Sequence, residues 1–235
     1  MDKPVYKRVL VKLSGEAMQA KDGIIDFDML EKVADVLKRC TDEGVQVAVV
    51  VGAGNIWRGA RQGKNMNRCL ADHMGMLATV INSLAIKNAV INAGGKATVM
   101  TPVDMSEFTE KYSYEKAIER LENGYITVFG CGTGNPFFST DTGAVLRAAE
   151  IGADIVLMAK NIDGIYDKDP AKHSDAKKYD RLSYDEILDK KLAAYDLTAT
   201  AFCAANSIKT YAFELKDPQN ILRVIHGEKI GTETY

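Results

Sequence analysis

The stretch GCGTGNPFFSTD, residues 130–141, connects an apolar run to a segment with helical periodicity. The run before it, Tyr125–Phe129, reads YITVF and is typical of a buried strand, and the pattern over residues 142–151 predicts a helix. Three glycines in the connection would let the backbone approach a ligand closely. A loop that only reversed the chain would not need two adjacent phenylalanines and a Ser-Thr-Asp run. The stretch therefore predicts a strand, a binding loop and a helix.

The same alternation of strands and helices continues along the chain. Strands are predicted at residues 6–13, 45–51, 97–100, 125–129, 154–159 and 208–213, with a last one in the terminal GTET. Helices are predicted at residues 26–43, 67–92, 113–123, 142–151, 196–206 and 218–226, and another opens at the capping box SYDE, residues 183–186. Such alternation indicates an α/β fold, a mainly parallel sheet with helices on both faces. We expect a single domain over residues 1–235, with ligands at the carboxyl ends of the strands.

Composition excludes several classes of protein. The 235 residues are 46% hydrophobic and 26% charged, which is ordinary for a globular domain, and the net charge of −2 does not favour nucleic acid or an anionic membrane as a partner. No run approaches the about 18 apolar residues of a membrane span. The four cysteines form no CxxC motif, which predicts reduced thiols in a cytoplasmic protein. The three histidines lack the spacing of metal ligands.

Three loops that follow predicted strands are rich in glycine: KLSGEA (12–17), GAGNIWRG (52–59) and residues 130–141. One such loop is weak evidence, because glycine also marks ordinary turns. Three that converge at one sheet edge would form a nest of N–H groups for several phosphates. The Walker pattern GxxxxGK[ST] is absent, and Trp57 and Phe137 stand where the dinucleotide fingerprint requires glycine.

Charged residues in and beyond these loops are candidates for the same site. Lys12, at the end of the first strand, could bridge phosphates as a point charge, and Arg58 could add a planar fork. A surface lysine is the alternative for Lys12, and we expect it to bury little. Asp72 lies in a helical pattern, where a solvated carboxylate is the alternative. The helix over 67–92 is apolar on more than one face, which indicates either a core position or a subunit interface.

Six segments, taken together, resemble the bacterial UMP kinases, a branch of the amino acid kinase superfamily. They are KLSGEA, GAGNIWRG, DHMGMLATV (72–80), GTGNPFFSTD (132–141), NIDGIYDKDP (161–170) and YDLTA (195–199). The resemblance runs nearly end to end. It implies a three-layer α/β/α sandwich that makes UDP from UMP and ATP, with Mg2+ bound through ATP rather than by a protein metal site. It also implies a cytoplasmic homohexamer in pyrimidine nucleotide biosynthesis, inhibited by UTP and usually activated by GTP.

The resemblance assigns roles to individual residues. Lys12, Arg58 and Asp141 would act in catalysis, with Asp141 orienting the basic groups, and Asp196 would be a further member of the site. The residues on the ATP side would be Lys12, Leu13, Ser14, Gly15, Gly54, Arg58, Asn161, Tyr166 and Asp169. The residues on the UMP side would be Ala53, Asp72, Thr133, Gly134, Asn135, Pro136, Phe137, Phe138, Ser139 and Thr140. Residues 1–150 would mainly hold UMP, and residues 151–235 mainly ATP.

The chain departs from the pattern of the UMP kinases at three places. Ala53 replaces the middle glycine of GGGN, and its methyl group requires a backbone without positive φ. The segment AKDGIID, residues 20–26, is one residue short, which argues against GTP activation. One residue is also missing near Asn161, so that Lys160 could take its role. Two other functions remain open at this stage: another amino acid kinase acting on a carboxylate or carbamate, and a nucleotide sensor without activity.

Overall fold

The computed structural model describes residues 3–57, 63, 65–192 and 194–235. A sheet of nine strands runs through it in the order β4-β3-β5-β2-β1-β6-β10-β11-β9, and β7 and β8 form a separate hairpin. All neighbours in the large sheet are parallel except β10 and β11. The strands are β1 (Arg8–Leu13), β2 (Gln46–Val51), β3 (Lys96–Thr101), β4 (Glu110–Lys111), β5 (Tyr125–Phe129), β6 (Ile155–Lys160), β7 (Ile165–Tyr166), β8 (Lys178–Tyr179), β9 (Arg181–Leu182), β10 (Thr210–Glu214) and β11 (Thr232–Thr234).

Helices cover both faces of the sheet. In the described part of the chain they are α1 (Phe27–Asp42), α2 (Arg68–Asn92), α3 (Tyr114–Glu122), α4 (Thr140–Ile151), α5 (Tyr184–Asp189), α6 (Leu197–Asn206) and α7 (Gln219–Ile225). Helices α1, α2 and α7 share one hydrophobic core with the sheet, and α3 to α6 share the other. The predicted α/β/α sandwich with a mainly parallel sheet is confirmed.

The two-residue period of the strands decides which side chains face which layer. In β1, Val9, Val11 and Leu13 pack in the core under α1, whereas Leu10 packs in the core under α4. Because alternate residues point to opposite faces, Lys12 is directed to the same side as Leu10. The position of Lys12 in the site follows from this alternation.

Local signals set most helix ends. Asp26 caps α1 by accepting from the Met29 N–H at 2.9 Å, and both bonds of the capping box at Ser183 and Glu186 are present. Helix α4 begins at Thr140, two residues before the predicted start, because Ser139 caps it. The short strands β4, β7, β8 and β9 were not predicted, since two residues cannot show a period.

Helix α2 is the longest in the described part of the chain. It is the one helix there that is long and apolar enough to cross a membrane by length and composition, and 44% of its most apolar stretch is buried within the fold. Ile86, Ala89 and Val90 pack into the core that α1 also covers. That contact is typical of a core helix, for which the same length and composition are common.

Candidate active site

The three glycine-rich loops follow β5, β2 and β1, which are adjacent and parallel, so that their carboxyl ends lie at one edge of the sheet. A side-chain carbon on Gly15 would lie 2.7 Å from the Gly52 carbonyl oxygen and 2.7 Å from the Gly54 nitrogen. One on Gly52 would lie 3.9 Å from the hydroxyl of Thr140, at the far end of the third loop. The predicted convergence of the loops is confirmed, and Gly15 leaves no room for a side chain.

Ala53 is compatible with this packing. Among the described residues other than glycine, positive φ occurs at Cys131, Phe137, Lys191 and Ser207, and Ala53 is not one of them. The methyl group of Ala53 therefore causes no strain in the backbone. Ala53 and Gly54 both line the cavity beside the loops.

Lys12 and Asp141 form an ion pair, with Nζ and Oδ1 2.9 Å apart. The side chain of Lys12 is 13% exposed, so the expectation that it buries little is wrong. Asp141 lies in the first turn of α4, where a negative charge also interacts favourably with the helix dipole. Burial raises the pKa of Asp141, but the ammonium groups of Lys12 and Lys160 outweigh this effect and hold the pKa below its usual range. Asp141 is therefore a carboxylate at neutral pH.

Lys160 joins this cluster from the end of β6. Burial lowers the pKa of its ammonium group to about 8; the charge of Asp141 opposes that shift and the charge of Lys12 adds to it. Val156 and Met158 pack in the core under α4, so alternation directs Lys160 to the same side. Lys12, Asp141 and Lys160 thus form one group of two cations and an anion, the charge cluster.

A cavity of about 520 Å³ is lined by Thr140 and Thr142, the residues on either side of Asp141 in the charge cluster. Of the residues predicted on the UMP side, eight line it: Ala53, Asp72, Thr133, Asn135, Phe137, Phe138, Ser139 and Thr140. Gly134 and Pro136 lie in the same loop but do not line the cavity, and Gly134 instead packs toward Pro102. We call this space the first cavity.

Asp72 ties helix α2 to the wall of the first cavity. Its Oδ2 accepts from the Phe137 backbone N–H at 2.8 Å and from Arg68 Nε at 2.8 Å. Phe137 has a φ of +71°, a conformation that costs free energy for a bulky side chain, and the Arg68 guanidinium lies 5.2 Å from its ring centroid. Asp72 is therefore a structural part of this cavity and not a freely solvated carboxylate.

A second cavity of about 380 Å³ contains Tyr166 and Asp169, as predicted for the ATP side, together with Lys160. Lys168, Lys190 and Lys191 also line it, so that the lining contains four lysines with Lys160 and two aspartates, Asp167 and Asp169. Asn161 lies elsewhere, in a smaller cavity with Met29 and Lys216. Of the two alternatives at this position, Lys160 and not Asn161 shares a cavity with Tyr166.

Asp196 connects two helices at the first cavity. It caps α6 by accepting from the Ala199 N–H at 2.8 Å, and it accepts from the hydroxyl groups of Ser139 and Thr142 at the start of α4. Asp196 also lines the cavity. Asp196 therefore lies among the residues predicted for the UMP side.

Some site residues were missed by sequence reasoning, and one lies outside the described residues. Arg68 and Thr79 line the first cavity without a motif of their own, although Arg68 is four residues before Asp72 and Thr79 lies within DHMGMLATV. Thr79 accepts a hydrogen bond from the Cys131 N–H at 2.8 Å and so supports the third loop.

Arg58, predicted to contact phosphates, falls outside the residues that the structure describes. Leu13 is fully buried in the core, so only its backbone can face a ligand.

The residues that the structure describes contain no group of three or more His, Cys, Asp and Glu side chains able to hold a metal ion. The carboxylate of Asp141 is engaged by Lys12.

Comparison with known families identifies the class of this protein. The model of the amino acid kinase family matches residues 7–213, most of the chain. The chain belongs to the amino acid kinase family.

Solved structures then narrow the similarity to one branch. A UMP kinase from Ureaplasma parvum is 34% identical with a TM-score of 0.92, and the match covers 100% of this chain and 99% of that one. A UMP kinase from Bacillus anthracis is also 34% identical, with a TM-score of 0.92 and coverage of 97% and 96%. A uridylate kinase from Archaeoglobus fulgidus is 27% identical, with a TM-score of 0.75 and coverage of 97% and 99%. The predicted resemblance to bacterial UMP kinases is confirmed.

Proposed function

We propose that the chain catalyses transfer of the γ-phosphoryl group of ATP to UMP, giving ADP and UDP. The observation that carries the proposal is the charge cluster, with Lys12 2.9 Å from Asp141 and Lys160 beside the same carboxylate. Thr140 and Thr142, which flank Asp141, line the first cavity, and Lys160 lines the second. The cluster therefore lies where an acceptor in the first cavity and a donor in the second would meet.

The charge cluster suits phosphoryl transfer because that reaction needs positioning and neutralised charge more than covalent chemistry. Lys12 and Lys160 supply positive charge where the transferred group would pass. Asp141 attracts both cations, which offsets their mutual repulsion and orients them, and it does not act as a base. The N–H groups of the glycine-rich loops add donors that are already oriented before the substrates bind.

The two cavities support the assignment of one nucleotide to each half of the chain. Residues 53–142 supply most of the lining of the first cavity, with Asp196 and its neighbours added, and residues 160–194 supply the lining of the second. We assign UMP to the first and ATP to the second, within one domain that shares a single sheet. Mg2+ would be held by the phosphate oxygens of ATP, where it would neutralise charge on the β- and γ-phosphates.

The test is a coupled assay of ADP release from ATP, Mg2+ and UMP, made on the wild type and on Asp141→Asn, a variant of nearly equal volume that removes the charge. We expect UMP-dependent release that falls sharply in the variant. A panel of carboxylate and carbamate acceptors addresses the other amino acid kinase reactions. Release with one of them but not with UMP would replace the proposal, and nucleotide binding without any turnover would favour a sensor.

The attacking oxygen of UMP belongs to a phosphate monoester whose second pKa is about 6, so at neutral pH it needs no general base. We expect kcat/KM for UMP to rise through one ionisation near pH 6 and to keep that limb when His73, His173 or His226 is replaced by Gln. These three histidines are absent from the lining of both cavities. The measurement is the pH profile of wild type and variants with ATP and Mg2+ saturating. Loss of the limb in a folded histidine variant would require a protein base.

Helix α2 also supports a proposal about assembly. Leu70, Leu77 and Ile81 lie on one face at helical spacing, and each is more than half exposed. We propose that this stripe is covered by a second copy, within a homohexamer as the resemblance implies. Light scattering at micromolar concentration should give a mass several-fold above the 25.7 kDa of one chain. Leu77→Asp with Ile81→Asp should reduce it, whereas Phe108→Asp, at an exposed residue of the β3–β4 connection, should not. A monomer mass for the wild type would contradict the proposal.

The remaining parts of the proposal rest on the resemblance to UMP kinases. They are a place in pyrimidine nucleotide biosynthesis, a cytoplasmic location, inhibition by UTP and a weak or absent response to GTP. The last follows from the shortened segment at residues 20–26.

A further inference from the structure

The aromatic ring of Tyr195 lies against Lys160, a contact that the motif YDLTA did not reveal. Lys160 Nζ is 4.6 Å from the ring centroid, within the distance of a cation–π interaction. The same ammonium group donates a hydrogen bond to the carbonyl oxygen of Ala194. Two successive residues of one segment therefore hold Lys160, one through its ring and the other through its backbone.

The ring of Tyr195 is itself fixed by buried hydroxyl groups of the sheet. Thr210 Oγ1, on β10, donates to the Tyr195 hydroxyl at 2.8 Å, and Thr234 Oγ1, on β11, lies 3.4 Å from it. Burial raises the pKa of the Tyr195 phenol to about 12, so this hydroxyl is neutral at neutral pH. Its contacts anchor the ring rather than perform chemistry.

The segment continues into Asp196, which holds the start of α4 through Ser139 and Thr142. Asp141 lies in that first turn of α4. Residues 194–196 therefore join Lys160, on the ATP side, to the helix that carries Asp141 on the UMP side. Tyr195 itself lines neither cavity.

The charges around Lys160 explain why a ring is useful at this point. Asp141, on α4, favours the protonated form of Lys160, whereas Lys12, on β1, and burial both disfavour it. The face of an aromatic ring carries partial negative charge and stabilises a cation without adding a second carboxylate. A second carboxylate there would repel the phosphates.

We propose that Tyr195 is a positioning residue that keeps the Lys160 ammonium charged and directed toward the transferred phosphoryl group. The role of Lys160 rests on the proposed phosphoryl transfer, whereas the contact between the two side chains does not. The experiment therefore begins with a measurement on the free protein.

The first measurement is the pKa of Lys160 by NMR, with lysine labelled at ¹³Cε and the signal assigned by its loss in Lys160→Met. In Tyr195→Leu we expect the pKa to fall by about one unit, the scale of a partly desolvated cation–π contact. Tyr195→Phe retains the ring and should leave it unchanged. Tyr125→Leu is the matched control, since Tyr125 lies under Lys96 and Arg120, away from the site. An unchanged or raised pKa in Tyr195→Leu, or an equal fall in Tyr195→Phe, would overturn the proposal.

A second series keeps the shape of the ring, in case Tyr195→Leu does not fold. Phenylalanine and its mono-, di- and trifluorinated analogues at position 195 weaken the negative face of the ring stepwise at nearly constant volume. The pKa of Lys160 should fall in the same order. If the pKa of Lys160 did not change with fluorination, the ring would act only by filling space.

The activity readout is the alkaline limb of kcat/KM for ATP, which reports ionisations of the free enzyme. A lysine that must be protonated gives activity that falls as pH rises through its pKa. The limb should therefore move to lower pH in Tyr195→Leu, by the shift that NMR measures, and the variant should approach wild-type activity as the pH is lowered. A loss of activity that is equal at every pH would mean a purely structural role. A pKa shift without movement of the limb would overturn the positioning role and leave UMP phosphorylation, tested by ADP release, unaffected.

Discussion

CMP is expected to be a poorer acceptor than UMP by about 10⁴-fold in kcat/KM, the scale reached when a buried polar partner is left unpaired. Uracil presents an N3–H donor and an O4 acceptor, whereas cytosine presents an acceptor and an amino donor at these positions. A site that matches one base therefore opposes the other at two neighbouring atoms. A hydroxyl could reverse its role to suit both bases, but a backbone N–H or C=O cannot.

The third loop supplies backbone groups with fixed directions. Cys131, Gly132, Gly134 and Phe137 all have positive φ, so the orientation of successive peptide groups is set by the fold. The turn is further held by the Thr133 hydroxyl, which accepts from the Asn135 N–H at 3.2 Å. We therefore expect the loop to accept only one pattern of hydrogen-bond donors and acceptors on the base.

The measurement is kcat/KM for UMP, CMP and AMP at one pH with saturating ATP. Thr133→Ser retains the hydroxyl and should keep most of the discrimination, whereas Thr133→Val has nearly the same volume and should lose part of it. Comparable values for CMP and UMP in the wild type would refute recognition of uracil by the loop.

Replacing Lys12 by Met is expected to lower kcat by at least about 10²-fold, as when one preorganised electrostatic group is lost. The lost charge is the one that Asp141 holds at 2.9 Å. The free energy of unfolding should fall as well, by about 1–3 kcal/mol, because a largely buried carboxylate loses a charged hydrogen-bond partner. Lys160 remains beside Asp141 and limits the loss.

The two effects of Lys12→Met are separated by temperature. Turnover should be measured well below the Tm of the variant, with folding checked by circular dichroism, so that unfolding does not account for the loss. Lys38→Met is the matched control, because Lys38 pairs with Asp42 on the surface of α1 at 2.6 Å. Near-native turnover in Lys12→Met would show that the ion pair of Lys12 stabilises the fold but does not contribute to catalysis.

Much of the fold could be predicted because each element carries its own local signal. The apolar run Val45–Val51 contains the buried strand β2, and Asp26 marks the start of α1 by capping it. The three glycine-rich loops were predictable as a group, since parallel neighbouring strands bring their carboxyl ends to one edge. The two-residue strands of the polar segment after Lys160 were not, because tertiary contacts decide them.

The sequence by itself determined the layers and the glycine-rich loops, whereas the face toward which Lys12 points was assigned from the core that contains Leu10. Lys160 lay one residue beyond the predicted strand at 154–159 and entered only as the alternative to Asn161, whereas the observed strand β6 includes it. Only the tertiary structure decided that Lys160 shares Asp141 with Lys12, and that the ring of Tyr195 lies 4.6 Å from its ammonium group. Period and capping are properties of neighbouring residues, whereas these contacts join distant strands and helices whose distance and burial exist only after the sheet has assembled.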